Sequence, residues 1–126
     1  MKIKQYIPTE QEEQELLVEW LEYKKIKFSA LPLDTYTEHW AVRNKNKRIG
    51  VRPGVPDLMI IIPANFKKVF PDTLPKLVFI EMKRTKGGVL SDNQLDWLVE
   101  LGQCYGVIAF SAKGFEEARK AIEKML

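Results

Sequence analysis

The chain has 126 residues, of which 45% are apolar and 29% are charged, and its net charge is only +3. This length and composition predict one soluble globular domain over residues 1–126, and the single cysteine excludes an intrachain disulfide framework and a cysteine-rich zinc site. No apolar run has the pattern of a signal peptide or a membrane span, so we expect a cytoplasmic protein that is not secreted and does not contact a membrane.

The first predicted element is a helix from about residue 10 to residue 24. Thr9 and Glu12 have the spacing of a capping box, and Leu17, Trp20 and Leu21 recur at helical spacing. A short strand is predicted at 26–30. The segment 31–53 alternates in polarity and then becomes rich in Asn and Lys, which indicates a ribbon or a loop.

Two apolar strands follow, at 55–62 and 77–83, and the proline-containing segment 63–76 between them is predicted to be a loop. Ser91 opens a second long helix that ends between Gly102 and Gly106. A buried strand at 107–111 and a closing helix carrying apolar residues at spacings of three and four complete the chain. The order predicts an α/β fold with a mixed central sheet flanked by helices.

Three polar residues stand at the ends of the two apolar strands: Asp57, Glu81 and Lys83. If the strands pair antiparallel, Asp57 lies beside Glu81 at the edge of the sheet, and strand alternation places Glu81 and Lys83 on one face. Taken singly, each has an ordinary explanation, because aspartate is common in turns and a strand-end ion pair contributes little. Together, two carboxylates and an ammonium are what a Mg²⁺ site acting on phosphodiesters requires.

The combination Gly54-x-Pro56-Asp57, Ile80-Glu81-x-Lys83 and Ser91-x-x-Gln94 resembles the PD-(D/E)xK nuclease superfamily and, within it, the small virus-type members of the VRR-NUC family. The resemblance extends from the first helix to the strand beginning at Gly106. It implies a PD-(D/E)xK nuclease-like fold and a virus-encoded or bacterial protein. A Glu-x-Lys motif alone is common by chance, whereas the ordered set is specific.

The resemblance also implies roles for individual residues. Asp57 and Glu81 would bind Mg²⁺ or Mn²⁺ directly together with the backbone carbonyl of Met82, and Lys83 would hold or activate the attacking water. Glu10 would act through metal-bound water. Glu12 and Glu13 are alternatives, because acidic residues are favoured in the first turn of any helix.

Gln94 is expected to face the same site, although Ser91 and Gln94 also form a capping box and either role would explain the glutamine. A run without acidic residues lies just before the Asp57 turn, and it is either a solvated face or a surface that contacts DNA phosphates. The cationic residues of this run are Arg43, Lys45, Lys47, Arg48 and Arg52. Arg84 and Lys86, which follow the second apolar strand, would extend the same surface. Trp40 is the candidate for base stacking. Trp20 and Trp97 are expected to pack in the core, and His39 is expected to be a loop residue.

The predicted function is a Mg²⁺- or Mn²⁺-dependent endonuclease acting on DNA, with branched substrates such as four-way (Holliday) junctions favoured. The alternative is a non-catalytic nucleic-acid binding module on the same fold. A homodimer is expected because cutting a junction productively requires two symmetric incisions. Apolar side chains without a clear core position supply a candidate interface: Val18, Tyr23, Val69, Phe70 and Leu74.

Overall fold

The computed structural model describes residues 4–31, 39–64 and 74–126. In these ranges the chain forms four helices and four strands. Their order is α1 (Glu10–Tyr23), β1 (Lys27–Ala30), α2 (Trp40–Arg48), β2 (Leu58–Ile62), β3 (Lys76–Lys83), α3 (Asp92–Gly102), β4 (Val107–Lys113) and α4 (Phe115–Glu123). None of the helices in these ranges combines the length and the hydropathy that crossing a membrane requires.

The strands form one mixed sheet in the order β1-β2-β3-β4. The pairs β1–β2 and β2–β3 are antiparallel, and β3–β4 is parallel. The predicted α/β fold with a mixed sheet is confirmed. Because β3 lies between β2 and β4, the polar residues at its end belong to a central strand and not to an edge strand.

The core lies on one face of this sheet. Alternate residues of β2 and β3, among them Ile60, Val78 and Ile80, are fully buried against Leu17 of α1 and Ile122 of α4. The odd-numbered residues of β3 point to the other face, where α3 lies. Alternation along β3 therefore separates the apolar core from Glu81 and Lys83.

The prediction of a ribbon or loop over 31–53 is wrong for its second half, where α2 forms. Trp40 to Arg48 contains no glycine or proline, and the cationic residues in its last turn are favourable beside the negative end of the helix dipole. The helix ends just before Gly50, whose φ of 98° suits glycine. None of its residues is buried, so α2 is an exposed basic helix.

The closing helix is also shorter than its apolar pattern suggests, since Met125 lies beyond its end. In α3 only Leu98 is buried, and Leu95 and Val99 are each 51% exposed. The predicted loop 63–76 lies mostly outside the described residues, and its last residue, Lys76, begins β3.

Candidate active site

Asp57 is placed by the turn that precedes β2. The register pairs Leu58 with Ile80, so Asp57, one residue earlier, lies across from Glu81, one residue later. One carboxylate oxygen, Oδ2, accepts a hydrogen bond of 2.7 Å from the backbone N–H of Met82. This bond fixes the carboxylate against the end of β3, as the antiparallel pairing predicts.

The turn carrying Asp57 is held against the start of α3. Gly54 has a φ of 92°, and a Cβ at this position would lie 2.6 Å from the backbone carbon of Asn93. The indole N–H of Trp97 donates a hydrogen bond of 3.1 Å to the carbonyl of Pro53. Trp97 is half-buried, and its contact with the turn was not evident from its helical spacing alone. These contacts make α3 the support on which Asp57 is positioned.

Glu81 is 4% exposed although it carries an ionisable group. Its Oε1 accepts a hydrogen bond of 2.7 Å from the side-chain amide of Gln94. Its Oε2 is buried and has no hydrogen-bond partner among the described residues. Burial, followed by the charge of Asp57, raises the pKa of Glu81 from 4.5 to about 7. The folded protein therefore leaves this carboxylate short of compensating charge.

Lys83 is 7% exposed and supplies a positive charge beside Glu81. Its ammonium donates a hydrogen bond of 3.0 Å to Oε1 of Gln94 and lies 3.7 Å from Oε1 of Glu81. A third oxygen, Oε1 of Glu10, lies 4.0 Å away. One ammonium is thus shared by Glu81, Gln94 and Glu10, which explains why it compensates only part of the charge of Glu81.

Gln94 performs both of the functions that its sequence position suggested, and it does so at once. Its backbone N–H donates to Oγ of Ser91 at 3.2 Å and its Oε1 accepts from the backbone N–H of Ser91 at 2.9 Å, which completes the capping box of α3. The same side chain bridges Glu81 and Lys83. The cap fixes the orientation of the amide, so the amide nitrogen faces the carboxylate and the oxygen faces the ammonium.

Of the three acidic residues in the first turn of α1, Glu10 is the one that reaches this cluster. Glu12 is occupied by the cap, since it accepts from the backbone N–H of Thr9 at 3.3 Å and also from the hydroxyl of Tyr6. Glu13 is 6% exposed and accepts a hydrogen bond from the backbone N–H of Phe115. The sequence left these three residues as alternatives, and only the packing of α1 distinguishes them.

Asp57 has a raised pKa as well. Burial is the largest cause, the hydrogen bond from Met82 opposes it, and the charge of Glu10 adds to it. Three carboxylates therefore converge near one ammonium, an arrangement that favours an additional cation.

The residues present fit a hard divalent cation. The unpartnered Oε2 of Glu81 and the carboxylate of Asp57 are oxygen donors of the kind that Mg²⁺ and Mn²⁺ prefer. Within the described ranges, no group of three or more acidic, histidine or cysteine side chains is arranged to hold a metal ion. The remaining ligands would be backbone, water or phosphate oxygens, which is usual for Mg²⁺.

Four of the predicted DNA-binding residues lie on the exposed helix α2. Arg43, Lys45, Lys47 and Arg48 are exposed on α2, and a cleft of about 360 Å³ lies between α2 and the following turn. Trp40, at the start of α2, is 74% exposed, and His39 is its N-cap residue.

Three further predicted residues are exposed near this surface or the end of β3. Arg52 donates to the carbonyls of Lys47 and Val51 at 3.2 and 3.1 Å, so part of its guanidinium is used within the turn. Arg84 is 3.4 Å from the carbonyl of Ile7, and Lys86 lies in the exposed turn after β3.

A surface beside the cluster is acidic. A groove of about 660 Å³ runs along α1 and reaches Asp57, and its lining includes Glu10, Glu15, Glu19 and Glu22. The basic helix α2 thus precedes the Asp57 turn in the chain, and an acidic groove adjoins Asp57. A polyanion is attracted to the first of these surfaces and repelled by the second.

Of the candidate interface residues, some are exposed, one is half-buried and two lie outside the described residues. Tyr23 is 80% exposed and Leu74 is 68% exposed, whereas Val18 is half-buried, because it packs against the core while it also lines the groove along α1. Val69 and Phe70 lie outside the described residues. Trp20 packs against the core as predicted.

Comparison with known proteins identifies the family and agrees with the fold. The sequence model of the VRR-NUC domain matches residues 5–116. A solved structure described as a VRR_NUC domain protein is similar to 95% of this chain over 89% of its own length, with a TM-score of 0.71 and 24% sequence identity, and so it shows the shared fold. A search of curated proteins found no match. Because the domain match covers most of the chain, including Asp57, Glu81, Lys83 and Gln94, this chain belongs to the VRR-NUC family, a nuclease-type family.

Proposed function

We propose that the protein is a Mg²⁺- or Mn²⁺-dependent endonuclease that hydrolyses DNA phosphodiester bonds. The observation that carries the proposal is the buried Oε2 of Glu81, which has no hydrogen-bond partner in the described part of the chain; this carboxyl group lies across from Asp57, and its pKa is raised to about 7. A buried carboxylate without a partner is costly, so its presence at this place needs a cause. Binding of a divalent cation supplies one.

Asp57 and Glu81 are the residues that would hold the cation, with the carbonyl of Met82 as a further donor and Glu10 acting through water. When bound, a divalent cation polarises the phosphate and lowers the pKa of an attacking water. The hydrogen bond from Met82 orients Asp57, and the amide of Gln94 orients Glu81. Lys83 is placed to stabilise a hydroxide or the negative charge that develops on the phosphate.

The charge distribution supports approach of DNA from the side of α2. Phosphate contacts by exposed lysine and arginine supply affinity without sequence preference. The acidic groove along α1 disfavours an approach of DNA along that helix, because it would place phosphates beside four glutamates. Asp57 follows the turn after α2 in the chain, so a DNA backbone bound to α2 and to this turn would lead toward Asp57.

The alternative is a nucleic-acid binding module without catalysis. It would use α2 in the same way, but it gives no reason to bury Glu81 and Lys83, which are 4% and 7% exposed. A pair of this kind costs desolvation energy that a binding surface on α2 does not need to expend. The cluster therefore favours catalysis.

A cleavage assay separates the two. Purified protein is incubated with single-stranded, duplex, flap and four-way junction DNA in Mg²⁺, in Mn²⁺ and in EDTA. The catalytic proposal predicts cleavage only with metal and none by Glu81→Ala, while Glu100→Ala, an exposed change on α3, cleaves normally. Binding to DNA without cleavage in either metal would establish the alternative.

We further propose a homodimer that acts on four-way junctions, since a two-fold axis supplies two symmetric incisions. The exposed Tyr23 and Leu74 support an apolar contact between copies. Light scattering at micromolar concentration is expected to give twice the mass of the chain, and Tyr23→Glu is expected to lower it. A monomer that cuts junctions at full rate would refute the dimer, and equal cutting of linear duplex and junction would refute the preference for branched DNA.

A further inference from the structure

Glu13 is a buried carboxylate that the proposed chemistry does not use. It is 6% exposed and lies on α1 one turn after Glu10. Its Oε2 accepts the backbone N–H of Phe115, the first residue of α4. It therefore joins the beginning of α1 to the beginning of α4, two elements that are about a hundred residues apart in sequence.

The N-terminus of α4 is built to receive this carboxylate. The N-cap residue is Gly114, which has a φ of 90° and provides no side-chain cap of its own. A Cβ at Gly114 would lie 3.0 Å from Oε2 of Glu13 and 2.7 Å from the methyl group of Thr85. Glycine at this position thus leaves room for Glu13, whose charge also suits the positive end of the helix dipole.

The same glycine ties this contact to the catalytic strand. The backbone N–H of Gly114 donates a hydrogen bond of 2.9 Å to the carbonyl of Lys83. Gly114, which leaves room for Glu13, is therefore hydrogen-bonded to the backbone of Lys83, and the ammonium of Lys83 faces Glu10. Residues three apart on a helix lie on the same side, so the placement of Glu13 determines where Glu10 lies.

We propose that Glu13 is a positioning residue of the nuclease site. By docking on the N-terminus of α4 beside the end of β3, it holds the first turn of α1 so that Oε1 of Glu10 lies 4.0 Å from the ammonium of Lys83. The consequence for catalysis depends on the proposed function, but the geometric claim does not. If Glu13 were only a cap of α4, its loss would lower stability and leave Glu10 in place.

The experiment compares apo crystal structures and Mn²⁺ titration calorimetry for the wild type, Glu13→Ala, Glu13→Gln, Glu10→Gln and the double variant Glu10→Gln/Glu13→Ala. Ile122→Val, a core change in α4, controls for general loss of stability. Glu13→Ala is expected to move Glu10 out of ion-pair distance of Lys83. It is also expected to weaken Mn²⁺ binding about 10-fold, the size seen when groups that orient metal ligands are removed.

Two further results are expected if Glu13 acts through Glu10. The double variant binds Mn²⁺ no more weakly than Glu13→Ala, and Glu13→Gln, which keeps an oxygen that accepts the N–H of Phe115, retains most of the affinity. Ile122→Val binds Mn²⁺ as the wild type does. Additive losses in the double variant would overturn the proposal, as would a Glu13→Ala structure in which Glu10 remains beside Lys83.

If Glu13→Ala does not fold, Gly114→Ala tests the same contact, because the added methyl group displaces Glu13 and leaves its charge in the chain. It is expected to separate Glu10 from Lys83 in the same way, and an unchanged separation overturns the proposal. A wild type that neither binds Mn²⁺ nor cleaves DNA would refute the proposed function instead. The crystal structures would then still decide the role of Glu13.

Discussion

Replacing Glu81 by glutamine tests whether the buried carboxylate costs the metal-free protein stability. Glutamine has nearly the same shape and keeps an oxygen that can accept the amide of Gln94, but it removes the charge. The pKa of Glu81 rises from 4.5 to about 7 on folding, chiefly through burial. The folded protein thus disfavours the ionised form, and the variant is expected to be more stable than the wild type at alkaline pH.

The direction follows from proton uptake. Below pH 4.5 Glu81 is protonated in both states, so it does not change the free energy of unfolding. Between pH 4.5 and 7 the unfolded chain loses a proton that the folded protein keeps, and stability falls as the pH rises. Above this window the loss levels off, and a rise from 4.5 to about 7 corresponds to about 3 kcal/mol.

Thermal unfolding in EDTA at pH 5 and pH 8 measures the effect. Glu81→Gln is expected to raise the midpoint by about 10 °C at pH 8 and by about 3 °C at pH 5, from the usual relation between free energy and midpoint for a domain of this size. Glu100→Gln, on the exposed side of α3, should change neither value. A variant that is less stable than the wild type at pH 8 would show that Lys83 and Gln94 fully compensate Glu81 and would remove the argument for a cation.

Three further outcomes are expected. Lys83→Ala should abolish cleavage but keep Mn²⁺ binding in calorimetry, because the ammonium is not a ligand; parallel loss of affinity would contradict its role in the chemistry. Trp97→Phe should weaken Mn²⁺ binding about fivefold, since the loss of one hydrogen bond to Pro53, worth about 1 kcal/mol, loosens the turn that carries Asp57; unchanged affinity would show that Gly54 suffices. Neutralising the exposed residues Lys45, Lys47 and Arg48 of α2 should weaken DNA binding equally for all sequences. It should also reduce the slope of the logarithm of the binding constant against the logarithm of the salt concentration by about one per lost phosphate contact. An unchanged slope would show that α2 is only a solvated helix.

The parts of the fold that the sequence predicts are those with a local cause. The capping boxes at Thr9 and Ser91 marked the starts of α1 and α3 correctly, because their partners lie three residues away. The pairing of Asp57 with Glu81 was also predictable, since two apolar strands joined by a loop pair antiparallel in most cases. In each case the deciding contacts lie within one element or between neighbouring strands.

The parts that the sequence did not predict depend on contacts between distant segments. Glu13 has its partner at Phe115, and Trp97 has its partner at Pro53, so neither role shows in local spacing. A glycine opening a helix that has no capping residue of its own, as Gly114 does, is the one local indication that another segment supplies the cap. The helix α2 is hidden in the sequence for another reason: Asn44 and Asn46 favour turns, whereas the absence of glycine and proline between Trp40 and Arg48 permits a helix.

The residues of the site differ in how firmly the surrounding structure holds them. Glu81 and Lys83 lie on a central strand, where β4 pairs with both residues, whereas Asp57 and Glu10 lie on a turn and a first helical turn that other segments must hold. Trp97 of α3 holds the turn of Asp57, and Glu13 of α1, which docks on the N-terminus of α4, holds the turn of Glu10. Each of these contacts positions one acidic residue. A substitution that removes either contact should therefore loosen the acidic residues around Lys83 before it unfolds the sheet. Loss of metal affinity at unchanged secondary structure is therefore the effect by which these supporting residues can be recognised.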